Sequence, residues 1–156
     1  MTVFVELDGT LEPNPATSPL GPEGKVMLST LKTGAAESGP QSVMGLAYVA
    51  AGLEIYRYAG RSYPVAAGQF LLVPEGYRGD LEIGRSSDGA ALGLCVYMPA
   101  ATAGGAQLDA PMLFPAACSG LGRALAGAHS RLRRRRGDGT DVAQSLLSDV
   151  GGEVRR

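Results

Sequence analysis

Few side chains in this sequence are of a type and spacing that could carry chemistry. The single histidine, His129, has no second imidazole with which to share a metal and falls in a stretch of helical periodicity. It reads as a surface or packing residue. Cys95 and Cys118 lack CxxC spacing, and each lies in an apolar stretch, as buried free thiols often do. That usage fits a reducing, cytoplasmic setting better than a disulfide framework. Glu54, Asp80 and Glu82 could form a carboxylate pair, but they read rather as single charges on the wet face of a strand. No GxSxG elbow, phosphate-binding Walker loop or HExxH pair occurs. The tyrosines at 48, 56, 58, 63, 77 and 97 fall close together. Facing inward they would stack on an organic ligand and donate a hydroxyl hydrogen bond; facing outward they would cover a sheet.

The segments that must position these groups are short and strand-like. Candidates are 2–7, 25–31, 41–49, 53–58, 62–65, 69–73, 80–84 and 91–98. They are separated by Gly34, Gly39-Pro40, Gly52, Gly60, Gly68, Pro74-Glu75-Gly76 and Asp88-Gly89. Regular short strands between turn residues predict an antiparallel sandwich or barrel. Pro13, Pro15, Pro19 and Pro22 exclude a helix or a central strand from the preceding loop or arm. After Pro99 the period changes. Leu121, Leu125, Ala128 and Leu132 line one face of a helix from Ser119 to about Arg136. A second helix, capped by Thr140 or Asp141, carries Val142, Leu146, Leu147, Val150 and Val154. Together they make a helical hairpin whose apolar face must be buried, on the barrel or on a partner chain.

Composition sets the outer limits. With 45% apolar and 19% charged residues, 156 residues suffice for one folded domain or a smaller one with an appendage. The 23 glycines and 10 prolines agree with frequent turns. Net charge is −1, so the molecule as a whole has no attraction to nucleic acid. Residues 1–130 hold 7 Lys/Arg against 11 Asp/Glu, and residues 131–156 hold 7 against 4. The basic run Arg131, Arg133, Arg134, Arg135 and Arg136 reads as a solvated helix end, suited to the negative pole of the helix dipole. The N-terminus lacks the pattern of a signal peptide, and no stretch reads as a membrane span.

The most specific motif is GQFLLVPEG, Gly68–Gly76, in which glycine permits a tight turn into a strand and Pro74 with Gly76 a second turn after it. It resembles the second cupin motif, and YVAAG, Tyr48–Gly52, resembles the end of the first. In metal-binding cupins these motifs carry histidines and a glutamate. Here the glutamate slot is Gly45. The histidine slots are Gly39 and Gln41, or Ser38 and Pro40 in a longer spacing, together with Gly79. None offers an imidazole or carboxylate, so the expected barrel is metal-free and needs no cofactor.

A longer run, LAYVAAGLEIYRYAGRSYPVAAGQFLLVPEGYRGDLEI followed by LGLCVYMPA, resembles the N-terminal cupin domain of AraC-type transcriptional regulators. The segment LGRAL…LRRRR…DVAQSLLSDV resembles the helices that link that barrel to the DNA-binding half. The resemblance implies a mainly β chain, a cupin double-stranded β-helix barrel followed by a C-terminal helical hairpin. Its parts would be an N-terminal strand and arm (1–24), the barrel (25–108) and a helical dimerisation segment (109–156). It implies a small-molecule effector, a homodimer, and contact with DNA only through helix-turn-helix units that this sequence does not contain. An arm at residues 10–24 could fold over the ligand.

The function expected is therefore an effector-sensing and dimerising module, non-catalytic and not membrane-bound. The alternatives are a small cupin enzyme of isomerase or lyase type, and a structural or protein-binding barrel with a filled interior. Gln41, Gly45, Tyr56, Tyr58, Gly79 and Tyr97 are the expected ligand-binding residues. Leu121, Leu125, Leu132, Leu146 and Val150 are the expected dimer contacts.

Overall fold

The structure, a computed structural model, describes residues 4–11, 24–38, 44–74, 79–83, 90–98 and 110–154. Nine strands precede two helices: β1 (Phe4–Leu11), β2 (Lys25–Ser38), β3 (Met44–Ala51), β4 (Leu53–Tyr58), β5 (Arg61–Ala66), β6 (Gln69–Val73), β7 (Gly79–Ile83), β8 (Ala91–Met98), β9 (Met112–Pro115), α1 (Gly120–Arg133) and α2 (Thr140–Val154). Hydrogen bonding runs β5-β4-β7-β2-β8-β3-β6-β9, with β1 added parallel to β2. The remaining pairings are antiparallel.

Strand β2 makes this a rolled structure rather than a flat sheet. Its first half lies between β1 and β8, and its last four residues pair with β7. It therefore belongs to both walls, one built on β2-β8-β3-β6-β9 and the other on β5-β4-β7. Gly34, expected to end a strand, lies within β2. Strand β9 was not anticipated; it pairs with β6 from Gln69↔Pro115 to Leu72↔Met112. It comes from the segment expected to be helical, while β1 joins the same wall from the N-terminal side. The anticipated turn at Gly68 is present. Its φ of +86° is left-handed, and it is tied by its N–H to the Val49 carbonyl and by its own carbonyl to the Ala116 N–H. Gly76 and the arm residues 12–23 lie outside the described residues.

Because side chains alternate along a strand, the first wall has two faces of different character. One meets the helices. Val26, Leu28, Met44, Leu46, Tyr48, Phe70, Leu94, Val96 and Met98 pack there with Leu125, Ala128, Leu132, Ala143, Leu146 and Val150. The other meets the second wall through Met27, Ala47, Val49, Leu71, Val73 and Cys95, against Tyr56 and Val65.

Helix α1 begins at Ser119, whose hydroxyl accepts the Gly122 N–H at 3.0 Å. At α2 the cap differs from expectation: the Asp138 carboxylate accepts the Thr140 N–H at 3.0 Å. Among the described side chains the apolar stripes of both helices are covered within the chain. Leu125, Leu132, Leu146 and Val150 are essentially inaccessible, and Leu121 packs, half-buried, against the same cluster. The face expected to meet a second subunit is thus already covered by this chain's own sheet. No helix among the described residues is long and apolar enough to cross a membrane.

Candidate functional site

The polar groups of the interior come from three strands. On β4, Glu54, Tyr56 and Tyr58 share one face, and the register sets Glu54 opposite Val65 and Ile83, and Tyr56 opposite Tyr63 and Leu81. On β8, Gly93, Cys95 and Tyr97 face the same space, with Cys95 opposite Met27 and Ala47. Strand β2 adds Ser29, opposite Gly93.

Glu54 is the centre of this group. It is only 2% exposed, and its Oε1 accepts a hydrogen bond from the Tyr56 hydroxyl at 2.9 Å. A carboxylate so enclosed loses its hydration, and burial pushes its carboxyl up to about 7 against the opposing effect of the Tyr56 hydrogen bond. Tyr56 rises in turn, through burial and then the negative charge of Glu54. Cys95 is pushed up to about 12 by burial and by Glu54, although Tyr97 and Tyr56 both hydrogen-bond to it. Its thiol is therefore protonated and unreactive. Tyr97 is raised by burial first and by Cys95 second. Carboxyl, phenols and thiol thus form one connected set.

Gly93 explains how the acid fits. A Cβ at that position would stand 2.9 Å from Glu54 Oε2, 3.2 Å from Ser29 Oγ and 2.8 Å from the Tyr48 carbonyl. The missing side chain lets the carboxylate and the hydroxyl converge over β8. Ser29 is 1% exposed, and its Oγ has no hydrogen-bond partner among the described residues. A buried hydroxyl left unpaired costs about 1–3 kcal/mol, so something that pairs with it is favoured.

Of the expected ligand-binding residues, Tyr56, Tyr58 and Tyr97 lie in the interior cluster. Gly45 pairs with Tyr97 and Val73 on the same wall. Gly79 opens β7, paired with Ser38, and is not among the residues gathered around Glu54. Gln41 lies outside the described residues, as does Tyr77. Sequence reading missed Ser29 and Cys95 as site residues and put Glu54 on a wet face. The signal that could have found Glu54 was its spacing from Tyr56 and Tyr58, two and four residues on. Glu82 is the exposed acid of the group, paired with Arg57 at 2.8 Å.

The other groups singled out at the start lie elsewhere. His129 is a packing residue, 7% exposed, with its ring edge toward Tyr48 at 5.8 Å. Burial, and then the charge of Arg133, lowers its pKa. Cys95 is buried as expected, but Cys118 is exposed, because it closes a short 3-10 turn just before α1. The basic run is partly engaged. Arg133 donates to the Thr30 hydroxyl at 2.7 Å. Arg135 pairs with Glu6, donates to the Leu132 carbonyl and lies over the Phe4 ring. Among the described residues no group of three or more His, Cys, Asp and Glu side chains could hold a metal ion.

No family model and no curated protein matches the sequence. Solved structures do match in fold. Apo ToxT K231A from Vibrio cholerae is 13% identical, with a TM-score of 0.55, over 85% of this chain and 55% of that one. Wild-type ToxT from Vibrio cholerae, solved with an unsaturated fatty acid bound, is 12% identical, with a TM-score of 0.51, over 89% and 58%. The AraC-like transcriptional activator CuxR aligns with a TM-score of 0.46 at 14% identity, over 75% of this chain and 44% of that one. The chain spans little more than half the length of ToxT and less than half that of CuxR. Over most of its length the chain thus shares the fold of the ToxT structures, a mainly β roll followed by two helices.

Proposed function

We propose that this chain is the effector-sensing module of a transcriptional regulator, and that the effector binds between the two walls. The observation that carries the reading is the polar set Ser29, Glu54, Tyr56, Cys95 and Tyr97, enclosed in an otherwise apolar interior with one hydroxyl unpartnered. A structural core would be better served by hydrocarbon at these positions, since each enclosed polar group loses hydration. A binding site uses a few such groups to fix a ligand's orientation. ToxT, which shares the fold, was solved with an unsaturated fatty acid bound. That supports a small-molecule ligand for this chain too.

Transmission follows from the architecture. Strand β8 presents Cys95 and Tyr97 to the interior and Leu94, Val96 and Met98 to the side that packs against α1 and α2. A ligand that moves β8 moves the surface on which the helices rest. In the proposed homodimer the contacts are made by the exposed sides of α1 and α2, since the leucine stripe is occupied. Attached DNA-binding units would read the change as a population shift between two arrangements.

A thermal-shift screen with small metabolites tests the reading, followed by amide exchange on any hit. A true effector raises Tm and slows exchange in β4, β8 and α1 together. Protection confined to surface loops, or no stabilisation by any compound, defeats it. An enzymatic reading draws on one observation, a buried carboxyl titrating at about 7, which is the range of a general acid or base. Turnover of a screening hit that is lost in Glu54→Gln would favour it.

A further inference from the structure

We infer that the free edge of β9 is a self-association surface, on which a second copy of this chain docks antiparallel across a twofold axis at Leu113. The inference goes beyond the sensing role and does not depend on it, and the contact is separate from the exposed sides of the helices.

The backbone of the edge sets the register. Among the described residues β9 pairs with β6 alone and ends the hydrogen-bonded order of the strands. Just past β9, the Ala116 N–H bonds the Gly68 carbonyl. Residues that bond a given neighbour alternate along an antiparallel strand, so Phe114 and Met112 turn their backbone groups to β6. Leu113 then turns its N–H and C=O outward. Two residues to either side stand Pro111 and Pro115, which have no N–H to offer. The edge therefore presents one donor, and a continuous ladder cannot grow along it. A second copy satisfies both donors in one antiparallel register, with Leu113 opposite the partner's Leu113 and a hydrogen bond in each direction.

Side chains agree with that register. Met112 and Leu113 are 44% and 39% exposed, the only large apolar side chains so exposed among the described residues. Phe114 is half-buried and stacks on Phe70 at 5.3 Å. Alternation places Met112 and Phe114 on the helix-facing side of the wall and Leu113 on the other. Across the axis Met112 stands beside the partner's Phe114, Phe114 beside the partner's Met112, and leucine beside leucine. Every cross-strand neighbour is apolar, with sulfur set against a ring on one face.

Charge points to a copy rather than to a different partner. A twofold contact brings any charge near its axis against its own like. Residues 62–73, through β5 and β6, and residues 110–122, around β9, contain no charged side chain. Ala66, Ala67, Ala117 and Cys118 lie exposed within these neutral segments. An acidic or basic partner finds no counter-charge there, whereas a second copy meets no repulsion.

Sedimentation of the full chain over about two decades of concentration tests the inference. Average mass should rise with concentration, and in Leu113→Glu it should fall by roughly half, because two carboxylates would meet at the axis. A second measurement does not depend on how that variant folds. Leu113→Cys and Ser62→Cys are each made in a Cys118→Ser background, Ser62 being an exposed residue of β5. Opposed residues of a hydrogen-bonded antiparallel pair have Cα atoms about 5.5 Å apart, within reach of a disulfide. With oxidised glutathione, Leu113→Cys should form a covalent dimer roughly tenfold or more faster than the collision control Ser62→Cys. Equal rates, an unchanged mass in folded Leu113→Glu, or a wild type that stays monomeric throughout overturns the inference. Each of these leaves the sensing role standing, since that role answers to the thermal-shift screen.

Discussion

On one side of β8, Leu94, Val96 and Met98 meet the helices; on the other, Gly93, Cys95 and Tyr97 meet Glu54, Tyr56 and Ser29. The two regions share a backbone and differ in chemistry. The helix-facing side is nearly all hydrocarbon among the described residues, with the His129 and Tyr48 rings lying against each other. The interior side encloses a carboxyl, phenols, a thiol and a hydroxyl. Packing alone explains the first. The second loses hydration without full compensation, a deficit that the proposed effector would make good.

That contrast can be broken most forcefully on the helix side. Leu125→Ala removes a fully buried side chain from the core between helix and sheet. It should lower stability by about 2–5 kcal/mol in urea unfolding, with ligand affinity unchanged wherever the protein remains folded. A loss below 1 kcal/mol would mean that the helices rest loosely on the sheet.

The interior side answers to pH. Glu54 is raised in the folded state from 4.5 to about 7, so its contribution is fully present below about pH 4.5 and is lost as pH rises through 7. The loss should be on the order of 3 kcal/mol, an upper bound, and absent in Glu54→Gln. Parallel slopes for wild type and variant between pH 5 and 8 would place that carboxyl in water.

The smallest effect has the opposite sign and sharpens the comparison. The pKa of His129 is lowered by burial and by Arg133, so its contribution is present above 6.5 and lost as pH falls through the depressed value. His129→Gln should flatten the acid side of the stability profile and leave the alkaline side alone. An unaltered acid limb would show that the ring gains its proton without cost.

Much of the fold was legible because glycine and proline punctuate it. β4, β6 and β8 were read with correct limits, since Gly52, Gly60, Gly68, Pro74 and Gly89 bracket them. β9 was not, because MLFP is short, ends in proline and draws its pairing from β6, distant in sequence. The helical stripes left open whether the barrel or a partner chain covers them, and Leu125, Leu132, Leu146 and Val150 are covered by the chain's own sheet. Periodicity shows that a face is apolar, whereas whether it is covered in cis depends on a sheet placed by long-range pairing.

Glu54 was misread for a related reason. In LEIYRY both alternating sets contain bulky groups, Leu53 and Ile55 on one face and Tyr56 and Tyr58 on the other. Hydrophobicity alone therefore selects neither face. Only the pairing of β4 with β5 and β7 decides that the acid points inward.

Arg135 gives the molecule a mechanical property of its own. By gripping the Leu132 carbonyl, Glu6 and the ring of Phe4, it fastens the first strand to the tail of α1. Strand and helix end are thereby tied through one side chain, so a tilt of the helix would have to strain or break these contacts. Because that fastening leans on an ion pair with a half-exposed acid, its stiffness falls as ionic strength rises.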